Sequence, residues 1–372
     1  TSRIKAHMKK ISHTVTLLIT DDCNLSCIYC YEHNKSANTM DYDLATSIID
    51  RELSEIAVED RVIIDLFGGE PFLNFDLIKK IVAHIRKHYS HRDIGIFSST
   101  NGTLVHGEIQ EWLIENKDIY SCGLSFDGNE AAQNINRSNS FSNVDLQFFR
   151  KVYPQQPIKM TISRESLEYL ADSIKFLTDI GFEIQCNFAE GLDWSDEKCI
   201  EILREQLDEI IAYYVEHPNV ERCSLLNFQI SLLSRPRDNT ERIDHYCGCG
   251  RYMHCYDHNG KCYPCQMFAP ISAGNKAVLL KDFDITDSIS IFELDEKCRN
   301  CYFRPLCPTC MGSNYIETGK LYFIDDSKCQ LQKAVFKANA KLKALEWDKG
   351  ILSLEEDEEQ ALLRSIIAIQ EL

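Results

Sequence analysis

Apolar and polar positions change period in a regular order along the first part of the chain. Thr14–Thr20 (TVTLLIT) is β-branched and apolar and predicts a strand. Asp41–Val58 follows with Ile48, Ile49, Leu53 and Ile56 on one face, the spacing of a helix. The same pair of patterns then recurs. Val62–Phe67, Ile94–Ser98, Tyr120–Phe126, Ile158–Ile162 and Phe182–Phe188 read as strands. Phe75–His88, Glu108–Asn116, Val144–Val152, Leu167–Ile180 and Asp196–Val215 read as the helices after them. Six βα units predict an α/β fold with a parallel sheet under a helical layer, and right-handed crossovers curl it toward a barrel. Six units fall short of the eight of a closed barrel, so a partial (β/α)6 TIM-like barrel is expected. In such sheets the chemistry gathers at the carboxyl ends of the strands.

Length and charge narrow the class. At 372 residues the chain predicts two domains. Its net charge of −17 disfavours nucleic acid, since phosphate binding runs on Lys and Arg. No apolar run is long enough to span a membrane. Residues 1–13 are basic and polar, unlike a secretory signal. A cytoplasmic protein is therefore expected, a compartment in which disulfides are rare.

Seventeen cysteines change the picture. An odd number does not pair completely, and reduced thiols persist as metal or cluster ligands. Cys23, Cys27 and Cys30 form a C-x3-C-x2-C group directly after the first strand. Cys247, Cys249, Cys255, Cys262, Cys265, Cys298, Cys301, Cys307, Cys310 and Cys329 form a second, later region. Cys122, Cys186, Cys199 and Cys223 are isolated, the habit of small buried apolar side chains. Cubane iron–sulfur clusters take four thiolates, so three close cysteines leave one iron open for a ligand. A structural zinc site completed by His33 or a distant residue is the alternative.

The triplet resembles the signature of the radical SAM superfamily, and the resemblance covers roughly residues 14–225. Gly68-Gly69-Glu70-Pro71 at the end of strand two looks like that family's GGEP motif. Glycines there let backbone approach a ligand, and a carboxylate and carbonyls suit an ammonium. Ser99 and Asn101, in the polar segment ending strand three, are similar to residues near the ribose and substrate. Ser125-Phe126-Asp127-Gly128 resembles S-x-D-G, and Arg137 stands where relatives often bind the carboxylate of S-adenosylmethionine. Tyr29 matches the aromatic whose backbone meets adenine. The resemblance implies a [4Fe–4S] cluster on Cys23, Cys27 and Cys30. S-adenosylmethionine would chelate the open iron, and its reduction would give a 5′-deoxyadenosyl radical that removes a substrate hydrogen. No motif marks a catalytic base or hydrogen donor.

The later cysteines resemble a SPASM domain. Cys298-x2-Cys301-x5-Cys307-x2-Cys310, then Cys329, follows a lead-in of Cys249, Cys255 and Gly260-x4-Cys265. One departure is that two residues, not the family's three, separate Cys307 from Cys310. The resemblance implies one closed cluster on Cys249, Cys255, Cys265 and Cys310, and another on Cys298, Cys301, Cys307 and Cys329. That makes three [4Fe–4S] clusters in all. Cys247 and Cys262 are nearby alternates for Cys249 or Cys265, and paired zinc knuckles are the alternative to clusters. His258-Asn259-Gly260 reads as a hairpin turn within Met253–Phe268. The expected division is an extension over 1–13, a barrel over 14–228, a SPASM domain over 229–348 and an acidic helix over 349–372. Lys333–Trp347 predicts a further basic amphipathic helix that packs on the domain.

SPASM enzymes typically modify peptides or proteins. The expected function is maturation of a ribosomally made precursor peptide, with an intramolecular thioether or carbon–carbon crosslink. The family also implies a flavodoxin- or ferredoxin-type electron donor. Sulfatase-maturase-like oxidation of a protein Cys or Ser is the alternative, but those enzymes usually carry Asp after the lead-in cysteine, and here Gln266 follows Cys265. A non-catalytic iron–sulfur or zinc protein is a third reading. Residues 1–13 are too few for a precursor-recognition domain, which leaves that task to a separate partner or to the barrel and SPASM surfaces.

Overall fold

The computed structural model describes residues 12–234, 242–244, 247–285 and 288–370. Residues 1–11 of the expected extension and the last two residues of the expected acidic helix lie outside the described residues.

The six expected βα units are present. Strands β1 (Ser12–Thr20), β2 (Arg61–Gly68), β3 (Ile94–Thr100), β4 (Tyr120–Leu124), β5 (Ile158–Ile162) and β6 (Ile184–Phe188) alternate with helices. The helices are α1 (Tyr42–Glu55), α2 (Phe75–Tyr89), α3 (Glu108–Asn116), α4 (Glu130–Asn136), α5 (Leu146–Val152), α6 (Leu170–Ile180) and α7 (Glu197–Glu216). β1 to β4 pair in parallel in sequence order. β5 pairs in parallel with β6, and a single bridge from Ser125 to Lys159 joins them to β4. The sheet therefore curls as a partial barrel.

Alternation along the strands decides what faces where. Val15, Leu17, Ile19, Val62, Ile64, Leu66, Ile96, Ile158, Met160 and Ile162 are buried against the helices. The helices answer with Ile48, Ile49, Ile81, Ile85, Leu113, Ile174 and Leu203. The intervening residues, including Thr16, Asp65, Phe97, Ser99 and Lys159, turn to the inner side of the curl. The sequence gives no periodic signal for α4, which buries Ala132, Gln133 and Asn136. It is set instead by its N-cap, where the Asn129 side chain accepts from the Ala132 amide at 3.0 Å.

The later chain does not begin a separate sheet. After β7 (Arg242–Asp244), strand β8 (Met253–Tyr256) pairs in parallel with β1, and β9 (Cys262–Tyr263) pairs antiparallel with β8. The turn between them carries Gly260 at φ +74°, as its hairpin reading required. This hairpin covers the edge of β1 that an open barrel leaves unpaired. The expected division near residue 228 is thus crossed by a strand pair. β10 (Ser288–Ser290) returns to pair with β7. Short helices α8 (Pro270–Ala273), α9 (Glu296–Arg299) and α10 (Met311–Thr318) carry the cysteine segments.

The chain ends in two helices, α11 (Asp326–Asp348) and α12 (Glu356–Gln370). The expected Lys333–Trp347 helix lies inside α11, whose Asp325 cap starts it earlier. Leu331, Val335 and Leu342 of α11 join the barrel core, and Arg222 binds Glu346 at 2.8 Å. Leu362, Ile366 and Ile369 of α12 pack on Phe303 and Phe336. The acidic run before and into α12 is mostly exposed.

Candidate functional site

The cysteine triplet lies in the loop leaving β1. Its shape is set by backbone contacts. The Cys23 amide donates to Asp22 Oδ1 at 2.8 Å, and the Cys30 amide to the Cys27 carbonyl at 3.2 Å. The end of α4 holds the middle of the loop: Ile28 N donates to the Asn136 carbonyl at 3.1 Å, and Ser26 N to Ser138 Oγ at 2.9 Å. Burial pushes the Cys27 thiol up to about 11, and the nearby Cys30 and Cys23 add to the shift. Lys35, which the sequence reading missed, donates to the Leu25 carbonyl at 3.3 Å beside these thiols. Burial opposes its charge, yet Cys30, Cys23 and Cys27 together raise its pKa. Three thiols converging beside one fixed ammonium fit a thiolate-bound cluster, whose net charge is negative.

The Gly68-Gly69-Glu70-Pro71 turn locks against this loop. Gly69 N donates to the Thr20 carbonyl at 3.1 Å and Glu70 N to the Asp22 carbonyl at 2.8 Å. Gly68 has φ +130°, and a Cβ on it would lie 1.9 Å from the Thr20 carbonyl oxygen. A Cβ on Gly69 would lie 2.2 Å from the Asp22 oxygen and 2.9 Å from Cys23 Cβ. Both positions therefore require glycine. The Glu70 carboxylate is engaged by three protein donors. It accepts from Thr100 Oγ1 at 2.8 Å, Asn101 N at 2.8 Å and Phe72 N at 3.2 Å. Burial pushes it up to about 7 against those donors. Its role is to join the ends of β2 and β3, with Pro71 opening the next turn.

Asp127 does the same for β4. It accepts from the Tyr29 hydroxyl at 2.6 Å, Asn136 Nδ2 at 3.0 Å, Arg137 at 3.0 Å and Thr161 N at 2.9 Å. Arg137 is buried, paired to Asp127, with its guanidinium 5.4 Å from the Tyr29 ring centre. Asn101 binds Asn24 at 2.9 Å, and Ser125 N donates to the Thr100 carbonyl at 2.8 Å. Ser99 Oγ accepts from Lys159 Nζ at 2.6 Å. The candidates from the four strand ends thus share one rim around the cysteine loop.

Below the rim, the inner face of the barrel carries charges that no motif marked. Asp65 on β2 accepts only weakly from Thr16, at 3.4 Å, and its Oδ1 is buried with no hydrogen-bond partner. Lys159 on β5 is the charged group that opposes its desolvation. Tyr31 stands between regions: Cys30, the distant Cys265 and Asp65 all act on its buried hydroxyl.

The later cysteines separate into two sets. Cys249 and Cys265 share a thiol hydrogen bond, which raises Cys249 and lowers Cys265. Cys255 and Cys310 both lie near Cys265. Cys247 is also near Cys249 and Cys265 but is exposed. In the second set, burial pushes Cys307 up to about 12, with Cys329, Cys298 and Cys301 adding to it. The members of each set that the resemblance implied thus lie near one another, although two residues rather than three separate Cys307 from Cys310. Cys262 instead faces Tyr256, near Glu52 and Arg51. Among the described residues, no three His, Cys, Asp or Glu side chains converge closely enough for a single metal ion. A cleft of about 530 Å³ runs from Gln185 and Asn187 at β6 to Cys307 and Cys310. Cys122, Cys186, Cys199 and Cys223 are buried.

The chain is similar to several known proteins. A family model for a 4Fe-4S single cluster domain matches residues 13–148. An uncharacterised protein of Methanocaldococcus jannaschii is 33% identical over 44% of this chain, a match spanning 58% of that protein. The cysteine-type anaerobic sulfatase-maturating enzyme of Clostridium perfringens strain 13 is 23% identical over 77% of this chain and 84% of its own length. The solved structure of native anSMEcpe with bound AdoMet and Cp18Cys peptide superposes with a TM-score of 0.68 at 20% identity, covering 92% of this chain and all of that one. Streptococcus suis SuiB bound to precursor peptide SuiA gives 0.55 at 17% identity, over 86% of this chain and 76% of that one. At these identities the structural likeness is one of fold.

Proposed function

Since this chain is a radical SAM enzyme with a SPASM-type cysteine region, we propose that it matures a peptide by removing a hydrogen atom from one residue. Cys23, Cys27 and Cys30 would hold the cluster that binds S-adenosylmethionine. When bound, that pair supplies the carbon radical that removes the hydrogen. The protein's own part is positional. Gly68 and Gly69 let the turn after β2 close on the cysteine loop, Glu70 ties β2 to β3, and Asp127 with Tyr29 and Arg137 ties the loop to β4. Lys35 balances the charge of the thiolates. Ser99, Asn101 and Ser125 line the rim where a nucleoside would lie. We assign two further clusters, one to Cys249, Cys255, Cys265 and Cys310 and one to Cys298, Cys301, Cys307 and Cys329.

The observation that carries the peptide reading is the cleft between β6 and the two cysteine sets. Its size suits an extended segment with one side chain turned into the barrel. The bound peptides in the anSMEcpe and SuiB structures support the same substrate class. We take the outcome to be an intramolecular crosslink, with a flavodoxin- or ferredoxin-type donor as reductant. Oxidation of a protein Cys or Ser is the second reading. It is favoured by the long match to the sulfatase-maturating enzyme, and Gln266 after Cys265 stands against it.

Anaerobic reconstitution with reductant tests the chemistry: the protein releases 5′-deoxyadenosine, and Cys27→Ala abolishes it. Release that survives this substitution refutes the assignment. Mass spectrometry of a cysteine-bearing test peptide after reaction separates the outcomes. A crosslink loses two hydrogens and keeps sulfur, whereas oxidation of Cys to an aldehyde loses sulfur.

A further inference from the structure

The inner face of the barrel holds a carboxylate and an ammonium that feel each other's charge but share no hydrogen bond. Asp65 and Lys159 both point inward by strand alternation, because their neighbours Ile64, Leu66, Ile158 and Met160 are buried outward. Lys159 Nζ is turned to Ser99 Oγ at 2.6 Å and lies 4.8 Å from the centre of the Phe97 ring. That contact fills one of its three donor positions. Asp65 has only the long contact from Thr16, and its Oδ1 accepts nothing. A buried carboxylate oxygen without a protein donor is costly, and it has the capacity to accept a further proton or hydrogen bond.

Asp65 is three residues before Gly68, roughly 10 Å along the strand from the rim. It also faces Tyr31, which lies near Cys30, and Cys255 on β8. Asp65 therefore stands between the catalytic cysteine loop and the nearer of the two later cysteine sets.

We propose that Asp65 is the proton acceptor for a substrate thiol in the barrel lumen, with Lys159 holding the thiol's developing negative charge. The inference rests on the peptide-maturase reading. The S–H bond breaks, its electron pair stays on sulfur, and the proton forms an O–H bond at Asp65 Oδ1. No oxidant is needed for this step. Lys159 favours the thiolate as a cation beside a thiol does generally. The carboxyl is suited to the exchange, because burial pushes it up to about 6 against the pull of Lys159 and Thr16.

Two measurements decide it. The first uses the full chain without substrate. Infrared difference spectra of wild type minus Asp65→Asn should show one carboxyl band that titrates near pH 6. The groups facing it are Lys159 from β5, the Thr16 hydroxyl from β1, Tyr31 from the cysteine loop and Cys255 from β8. Lys159→Met should raise that midpoint. A carboxyl that stays ionised down to pH 4 overturns the proposal. The second uses the reconstituted enzyme with a synthetic cysteine-bearing peptide that the wild type converts to product. In Asp65→Asn the product formed per 5′-deoxyadenosine released should fall at least tenfold, and Asp65→Glu should restore part of it. Product at the wild-type rate in Asp65→Asn overturns the assignment. If wild type releases no 5′-deoxyadenosine, the maturase reading fails, while the infrared result still decides whether Asp65 is a free acceptor.

Discussion

The Tyr29 hydroxyl donates to Asp127 Oδ2 at 2.6 Å, so the cysteine loop is fastened to the end of β4 from inside the protein. Tyr29→Phe removes that bond and leaves a buried carboxylate with one donor fewer. Arg137, Asn136 and Thr161 remain on it, so the fold should survive with a loss of about 1–3 kcal/mol. The loop should hold its cluster less firmly. Thermal unfolding and iron content of the reconstituted variant check both effects, and unchanged iron retention would separate the bond from cluster binding.

Much of this was legible in the sequence because strands of this fold repeat one pattern. The apolar sides of β1, β2 and β5 pack against helices, and their spacing marks them without any structure. The cysteine-rich segments were legible as two regions of the chain, but their division into two sets came from the resemblance and not from spacing. Other features were not. Helix α4 buries Gln133 and Asn136, so its inner face does not read as apolar. The pairing of β8 with β1 joins four residues across a long chain separation, and periodicity carries no such information. Asp65 and Lys159 look like solvent-facing strand positions until the sheet curls around them. Glu70 and Asp127 stood out as motif residues, yet their hydrogen bonds show them bracing the rim.

Gly69→Ala should disturb the cluster while sparing the rest of the chain. The added Cβ meets the Asp22 carbonyl oxygen at 2.2 Å and Cys23 Cβ at 2.9 Å. Both neighbours are at the start of the cysteine loop, and a backbone oxygen has no side-chain freedom to move away. The variant should keep its secondary structure by circular dichroism and lose about four irons per chain, one cubane. Full iron content with weakened S-adenosylmethionine binding would instead place the effect on the ligand alone.

The two later cysteine sets predict unequal consequences for neighbouring residues. Cys265 is the member that Cys249, Cys255 and Cys310 share, so Cys265→Ala should remove about four irons. Cys262 stands only a few residues away but faces Tyr256 beside α1. Cys262→Ala should leave the iron content unchanged. Equal losses from both substitutions would mean that Cys262 is a ligand and that the hairpin rearranges when the cluster forms.

Asp65 also makes a prediction about stability that is independent of turnover. An aspartate ordinarily titrates at 3.8, and burial pushes this one up to about 6. Below about pH 4 the carboxyl is protonated in both the folded and unfolded chains, and it does not penalise folding. Between about pH 4 and 6 the unfolded chain ionises first, so the folded state loses stability as pH rises. Above that range the penalty is complete, and two pKa units correspond to roughly 3 kcal/mol. Asp65→Asn removes the charge and keeps the shape. The cluster-free variant should therefore match wild type in urea unfolding at pH 4 and exceed its stability by a few kcal/mol at pH 8. A residue that stabilises the fold through an ion pair with Lys159 predicts the reverse, a variant weaker than wild type at pH 8. A gain in stability together with a loss of product is the pattern of a side chain retained for chemistry.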